Sequence, residues 1–367
     1  MLGSHPLKDL LKQTIPDWDH AGVPRNVRDN FWKIINCGTP ALGAEVYASA
    51  TERTIVYHTC KSRFCPSCGA RASELWGEEL DAALPNMPYV GINLTMPSVF
   101  WPIFQQNRHL LHDLPAVGAA AIEFWAKARY GVRIALMVVL QTYGGFLNFY
   151  PHLHTLVSSG GLDRSTGHWI RKLEFETHQR ELMLAWRYAL LAYLDEAIRS
   201  KVIISDLTEH DLSRILESEG NRDWNIFVGA PVNRRIVVNY NARYIRKPPI
   251  TQRRLTSTVD QQVQYVAKDT RGKCLTPVEY TKAEFVALLI PHVIDRFRNS
   301  MRYFGLLSPR CKILLSTVFF LLKQKKRPRP ARLSWAISRY KAFGNNPLID
   351  RSGETMRRIG RLSPVAA

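Results

Sequence analysis

The chain reads as an α+β protein with a small metal-binding module at its N-terminus. Three observations predict this. Two apolar, β-prone runs, Arg133–Tyr143 and Pro151–Val157, lie close together in a region that mixes strand and helix patterns without strict alternation. Residues 174–200 form a long, charged, amphipathic pattern with helical spacing. Four of the six cysteines fall between residues 37 and 68. The order of these features predicts three regions: a metal-binding domain over 1–84, a mixed domain over 85–307 after the linker Leu84-Pro85-Asn86-Met87-Pro88, and a basic region over 308–367.

In the first region, Cys60-Lys61-Ser62-Arg63-Phe64-Cys65-Pro66-Ser67-Cys68-Gly69 contains a Cys-Pro-x-Cys-Gly knuckle, a backbone turn that aims two thiolates at one ion. Structural zinc takes four such ligands in a tetrahedron. Cys60, Cys65 and Cys68 supply three, and either Cys37 or His58 supplies the fourth. The plainer alternative is a set of free thiols. A disulfide framework is disfavoured in so long a chain with no evident signal peptide.

In the second region, the runs 133–143 and 151–157 flank a Gly-rich loop, Gly144–Tyr150, and form a hairpin. The turn residues Ser158-Ser159-Gly160-Gly161 close the second strand. Strand side chains alternate, so His152 and His154 point the same way, one pleat apart. The hairpin brings Gln141 opposite them as a neutral oxygen ligand. Mixed imidazole and oxygen donors with open positions suit Mg²⁺ or Mn²⁺ holding a phosphate. Taken singly, each is also an ordinary strand residue: an incidental His-x-His, and a surface Gln at a strand end.

About ninety residues later, Pro248 and Pro249 stop a helix that carries Tyr240 and Tyr244 four apart, hence on one face. Arg243, Arg246 and Lys247 flank them. Such a pair alone is most often a core stripe. Beside a His-x-His metal site, a sharper reading competes: a tyrosine oxygen attacks a DNA phosphodiester and is joined to the 5′ phosphate. The phenol, with a pKa of about 10, needs a metal that polarises the phosphate.

In the third region, Ile313–Leu322 is too short to span a bilayer and reads as a buried helix. Beyond it the run 323–332, with its two prolines, reads as an extended arm, in which Lys325, Lys326 and Arg327 either contact phosphates or form a solvated linker.

Composition fits a nucleic-acid partner. Lys plus Arg is 50 against 31 for Asp plus Glu, a net charge of +19. Such a surplus attracts phosphates at long range. Apolar residues make up 46%, which supports a packed core rather than disorder. No targeting segment or internal repeat is evident, so a cytoplasmic location is expected.

His-hydrophobic-His on a strand with a downstream Tyr-x-x-x-Tyr helix resembles the HUH superfamily of single-strand endonucleases. Several ordered blocks resemble one branch of it, the two-tyrosine rolling-circle transposases of bacterial insertion sequences. These are Tyr89–Pro97, Pro151–Leu162, Tyr240–Pro249, and the segment from Glu284 to Gly305. The resemblance covers roughly residues 30–310. It implies an antiparallel sheet with helices on one side and the metal on the open face. It makes His152 and His154 metal ligands and Tyr240 and Tyr244 nucleophiles. Gln141 falls where related relaxases place a third ligand. The family's N-terminal zinc domain ends in a similar Cys-x4-Cys-Pro-x-Cys. Its additional Cys-x-x-Cys, expected near Ser49–Glu52, is missing, and Asp350–Gly353 lacks the late Cys-x-x-Cys of some relatives. The implied partners are single-stranded, hairpin-forming DNA at element ends and target DNA, with nucleoid association. A zinc-ribbon nucleic-acid-binding protein without catalysis, and an HUH replication initiator or relaxase, are the alternatives.

Overall fold

In the computed structural model the described residues are 6–240, 248–257, 261–269, 274–295, 298–328, 334, 336–337, 340, 344, 346 and 348–365. The chain opens with three helices, α1 (Pro6–Gln13), α2 (Ile15–Trp18) and α3 (Arg25–Ile35). The longer two are amphipathic, burying Leu7, Leu10 and Leu11 and then Val27, Phe31 and Ile34 at helical spacing. A hairpin of β1 (Ala44–Ala48) and β2 (Arg53–Tyr57) leads into α4 (Pro66–Ala83). Proline sits in the first turn of α4, where its missing N–H costs nothing.

The middle of the chain supplies β3 (Tyr89–Leu94), α5 (Trp101–Gln106), α6 (Leu114–Tyr130), β4 (Val132–Tyr143) and β5 (Phe149–Asp163). There follow β6 (Trp169–Ile170), α7 (Gln179–Arg199), α8 (Glu209–Gly220), β7 (Ile226–Val228) and α9 (Arg234–Tyr240). The last third gives β8 (Leu255–Ser257), β9 (Gln262–Asp269), β10 (Cys274–Thr281), α10 (Lys282–Leu289), β11 (Met301–Gly305), α11 (Lys312–Leu321) and β12 (Arg357–Leu362).

The central sheet runs β11-β4-β5-β3-β7, with β6 beside β5, and every pairing is antiparallel. One face carries Ile92, Leu94, Leu136, Val138, Leu153 and Val157 and is covered by α5, α6 and α7, with Trp125 and Trp186 at the centre. The opposite face is not wholly open, as a one-sided helical layer would leave it. Tyr89, Ala135, Met137, Val139 and Leu156 are buried there against Trp76 and Leu80 of α4, Val237 and Val238 of α9, and Val318 of α11. This second helical layer covers one end of the face. At the other end lie Gln141, His152 and His154.

Two further differences bear on domain boundaries. The N-terminal helices share a core with Ile250, Val263, Tyr265, Phe285 and Leu289, so the β8–β10 sheet and α10 belong with the first module as much as with the central sheet. The basic C-terminal region does not stand apart either, since β12 pairs with β1 and completes the order β12-β1-β2. Within that region α11 is a surface helix rather than a buried one. It buries Val318 and Phe319 but leaves Ile313 83% and Phe320 80% exposed.

The expected turn at Ser158–Gly161 is also absent, because β5 runs straight through it. The glycines serve close packing instead. A Cβ on Gly160 would lie 2.6 Å from the Ile170 carbonyl, and one on Gly161 2.5 Å from the Val132 side chain. The register shifts between Ile134 and Leu136, where Ser158 Oγ accepts a hydrogen bond from the Ala135 amide at 2.9 Å.

Candidate active site and metal centres

The hairpin β4–β5 pairs Gln141 with His152 and Val139 with His154. Alternation turns Gln141, His152 and His154 to the same face. The Nε2 atoms of the two histidines lie 3.0 Å apart, and Gln141 Oε1 lies 3.1 Å from His154 Nε2. The outer nitrogens fix the tautomers. His152 Nδ1 donates to the Tyr150 carbonyl at 2.8 Å, and His154 Nδ1 donates to Asn93 Oδ1 at 2.7 Å. Burial lowers the pKa of both rings, that of His154 to about 3 with help from His152. Both are therefore neutral at neutral pH, with their Nε2 lone pairs turned inward.

Three acceptors thus converge with no donor among them. That arrangement is repulsive unless a cation sits between them. Ligands bound at 2.0–2.1 Å at right angles lie about 3.0 Å apart, the separation found here. The donor set fits a divalent ion such as Mg²⁺ or Mn²⁺, with the remaining positions open to phosphate oxygens. Asn93 was not evident from the sequence as a site residue. The signal was its place as the polar residue among Val90, Ile92 and Leu94, which puts it on the histidine face.

Helix α9 reaches the same face. Val237 and Val238 belong to the buried cluster that also holds Val139, the strand partner of His154. Arg234 fastens the start of α9 by pairing with Asp81 at the end of α4. Tyr240 is the last residue of α9. Arg243, Tyr244, Arg246 and Lys247 lie outside the described residues. Beside Gln141 opens a cavity of about 280 Å³, bordered by Arg63, Trp76, Tyr143, Pro248, Arg298 and Met301.

The four N-terminal cysteines converge separately. Their sulfurs all lie within 4.8 Å of one another. Cys37 Sγ is 3.6 Å from Cys68 Sγ and 4.0 Å from Cys65 Sγ, and Cys60 Sγ is 3.7 Å from Cys68 Sγ. Four thiolates around zinc at 2.3 Å are about 3.8 Å apart, so the set fits a tetrahedral site. Hydrogen bonding to Cys37 pulls the Cys68 thiol well below its usual range and pushes Cys60 and Cys65 above it. Of the two candidates for the fourth position, Cys37 is in the cluster. His58 is turned away, with Nδ1 3.0 Å from the Leu42 carbonyl and Nε2 3.2 Å from Glu45.

In the basic segment after α11, Lys325 and Lys326 are exposed. Arg327 is not part of a free arm. It donates to the carbonyls of Asp81 and Leu84, closing the end of α4.

The comparisons with known proteins support a zinc-binding N-terminal domain and give the family of the chain. Residues 10–96 match the family described as "Transposase zinc-binding domain", and residues 136–313 the family described as "Putative transposase". The chain is 31% identical over 356 residues to the transposase for insertion sequence element IS801 of Pseudomonas savastanoi pv. phaseolicola, covering 93% of this chain and 85% of that protein. It is 29% identical over 288 residues to "Putative transposase y4qJ" of Sinorhizobium fredii (strain NBRC 101917 / NGR234), covering 75% and 72%. No solved structure matches. With its zinc-binding domain in front of a transposase domain, and with this likeness running over most of its length, the chain belongs to the insertion-sequence transposases of the IS801 and IS91 type.

Proposed function

We propose that this transposase is a metal-dependent HUH endonuclease that nicks and rejoins single-stranded DNA through a 5′-phosphotyrosine, moving its element by rolling-circle transposition. The observation that carries the reading is the convergence of His152 Nε2, His154 Nε2 and Gln141 Oε1 on the sheet face against which the tyrosine helix packs. A divalent cation held by these three atoms supplies Lewis-acid polarisation of the scissile phosphate.

The protein's own groups do the rest. Tyr240 or Tyr244 gives up its phenolic proton as its oxygen forms the bond to phosphorus. The 3′ oxygen of the cleaved strand leaves and takes a proton, ending as a 3′ hydroxyl. In the return step a 3′ hydroxyl attacks the phosphotyrosine, and the tyrosine oxygen leaves and is reprotonated. The phosphodiester energy is kept throughout, so no nucleotide cofactor is needed. Two tyrosines permit two successive transfers, one at the donor end and one at the target. Asn93 and the Tyr150 carbonyl hold the imidazoles in the ligating tautomer.

Cys37, Cys60, Cys65 and Cys68 hold a structural zinc that ties α3 to the start of α4. Lys325 and Lys326, with Arg243, Arg246 and Lys247, contact DNA phosphates, whereas Arg327 braces the fold. The substrates are the single-stranded, hairpin-forming ends of the element and its target.

The deciding experiment is incubation with a single-stranded oligonucleotide of the element's end in Mn²⁺, followed by a denaturing gel. The expected product is a covalent protein–DNA adduct on the 5′ side. It disappears in the double variant Tyr240→Phe, Tyr244→Phe, which keeps both rings. An adduct that persists in the double variant places the nucleophile elsewhere and defeats the reading.

A further inference from the structure

Strand β7 is the edge of the central sheet, three residues long, and it carries an aromatic ring facing solvent. Trp224 and Ile226 are buried in the core on the helical side. Alternation therefore turns Phe227 to the histidine face, where it is 62% exposed. In register, Phe227 pairs with Asn93 and Asn93 with His154, so the three form one row across the sheet. Two strand intervals, about 10 Å, separate Phe227 from His154.

The backbone beneath the ring is pinned. Gln179 Nε2 donates to the Ile226 carbonyl at 3.0 Å, Thr95 Oγ1 donates to the Asn225 carbonyl, and the Gly229 amide donates to the Gly91 carbonyl at 2.9 Å. A large apolar ring on an unpaired edge is a liability that proteins ordinarily avoid with charge or proline. Here it is held rigidly in line with the ligand set, in a protein of net charge +19.

We propose that Phe227 is a stacking platform for an unpaired nucleobase of the strand whose phosphate occupies the His152–His154–Gln141 site. This rests on the single-strand reading above and deepens it. A ring on the catalytic face favours bases free of a partner, because a paired base in a duplex already has both π-faces covered. It is also indifferent to sequence, since every base presents a π-face.

The test is fluorescence anisotropy with added Mn²⁺, so that a phosphate can be held at the site, on two labelled probes that lack the sequence of the element's end. One is a 12-nucleotide oligothymidylate. The other is an abasic 12-mer with the same phosphodiester backbone. Phe227→Ala is expected to weaken oligothymidylate binding about 5–150-fold and to change binding of the abasic probe by less than about two-fold. Phe227→Trp, which keeps a ring, is expected to bind oligothymidylate as wild type does. Equal losses on both probes, no loss on oligothymidylate, or full retention in Phe227→Leu would each overturn the assignment. The adduct gel judges the nicking chemistry separately. Wild-type protein that forms the adduct yet binds both probes equally defeats the platform alone. Wild-type protein that prefers the base-bearing probe yet forms no adduct defeats the chemistry alone.

Discussion

Asn93 and His154 stand side by side on adjacent strands, and Oδ1 of Asn93 accepts a hydrogen bond from Nδ1 of His154 at 2.7 Å. That hydrogen bond decides which nitrogen of His154 faces inward. The orientation of the proposed ligand His154 is therefore set by a neighbour that is not itself one of the three converging atoms.

Asn93→Ala is expected to lower Mn²⁺ affinity about 10–100-fold, because the ring of His154 is then free to rotate or change tautomer. Isothermal titration with Mn²⁺ measures this without reference to cleavage. Asn93→Asp, which keeps an acceptor in place, should restore most of the affinity. Unchanged Mn²⁺ affinity in Asn93→Ala would mean that the register alone orients the ring.

His152→Ala and His154→Ala are each expected to abolish adduct formation while leaving single-strand binding within about two-fold, since affinity comes mainly from phosphate and stacking contacts. Gln141→Ala should be milder, because water can replace a neutral oxygen ligand. Full nicking by either histidine variant in Mg²⁺ or Mn²⁺ would sink the metal assignment.

Protein purified without chelators should carry about one equivalent of zinc, the capacity of a single four-cysteine site. Cys65→Ser or Cys68→Ser should lose it and destabilise the N-terminal helices, because zinc binding there is folding energy. His58→Ala should retain the zinc. Elemental analysis of the three variants decides between Cys37 and His58 as the fourth ligand.

Acid should destabilise the fold through His292, which is buried against Thr142 and the Leu147 carbonyl. Burial pushes its pKa down to about 4. Between the unfolded value near 6.5 and that folded value, the unfolded chain binds the extra proton. Stability is therefore full above about pH 6.5 and falls on acidification, by about 3 kcal/mol from this residue if the whole window is crossed. Denaturant unfolding at several pH values measures the slope. A His292→Gln variant that loses stability as steeply as wild type over pH 6.5–4 would acquit His292 as its source.

Much of the β4–β5 hairpin was legible because two short rules determine it. Alternation puts His152 and His154 on one face, and a Gly-rich loop of the right length brings Gln141 across. The Gly160–Gly161 pair misleads for a physical reason. Glycine marks turns, but it also marks places where a neighbouring strand or ring comes too close for a Cβ, and only the fold distinguishes the two. Asn93 is an ordinary polar strand residue until its register against His154 is known. The fourth zinc ligand was open between Cys37 and His58 because both sit at suitable distances in the chain, and the choice depends on where the hairpin β1–β2 directs His58. Arg327 read as part of an extended basic arm, and its sequence neighbours do not show that two carbonyls at the end of α4 accept from it. Least legible was β12: Arg-Arg-Ile-Gly-Arg-Leu has no apolar alternation, and its partner β1 lies more than 300 residues earlier.

That last pairing has a consequence for how the protein is made. The ribosome releases β1 and β2 early, but the strand that completes their sheet is synthesised about 300 residues later, a delay of about 15–60 s at bacterial elongation rates. Through that interval the edge of β1 is uncovered, and the N-terminal sheet waits on a strand made about 300 residues later. A chain ending before Arg357 would keep the β4–β5 hairpin and have its N-terminal sheet one strand short. The loss of residues near 357 is therefore felt in the N-terminal sheet, far from them in sequence.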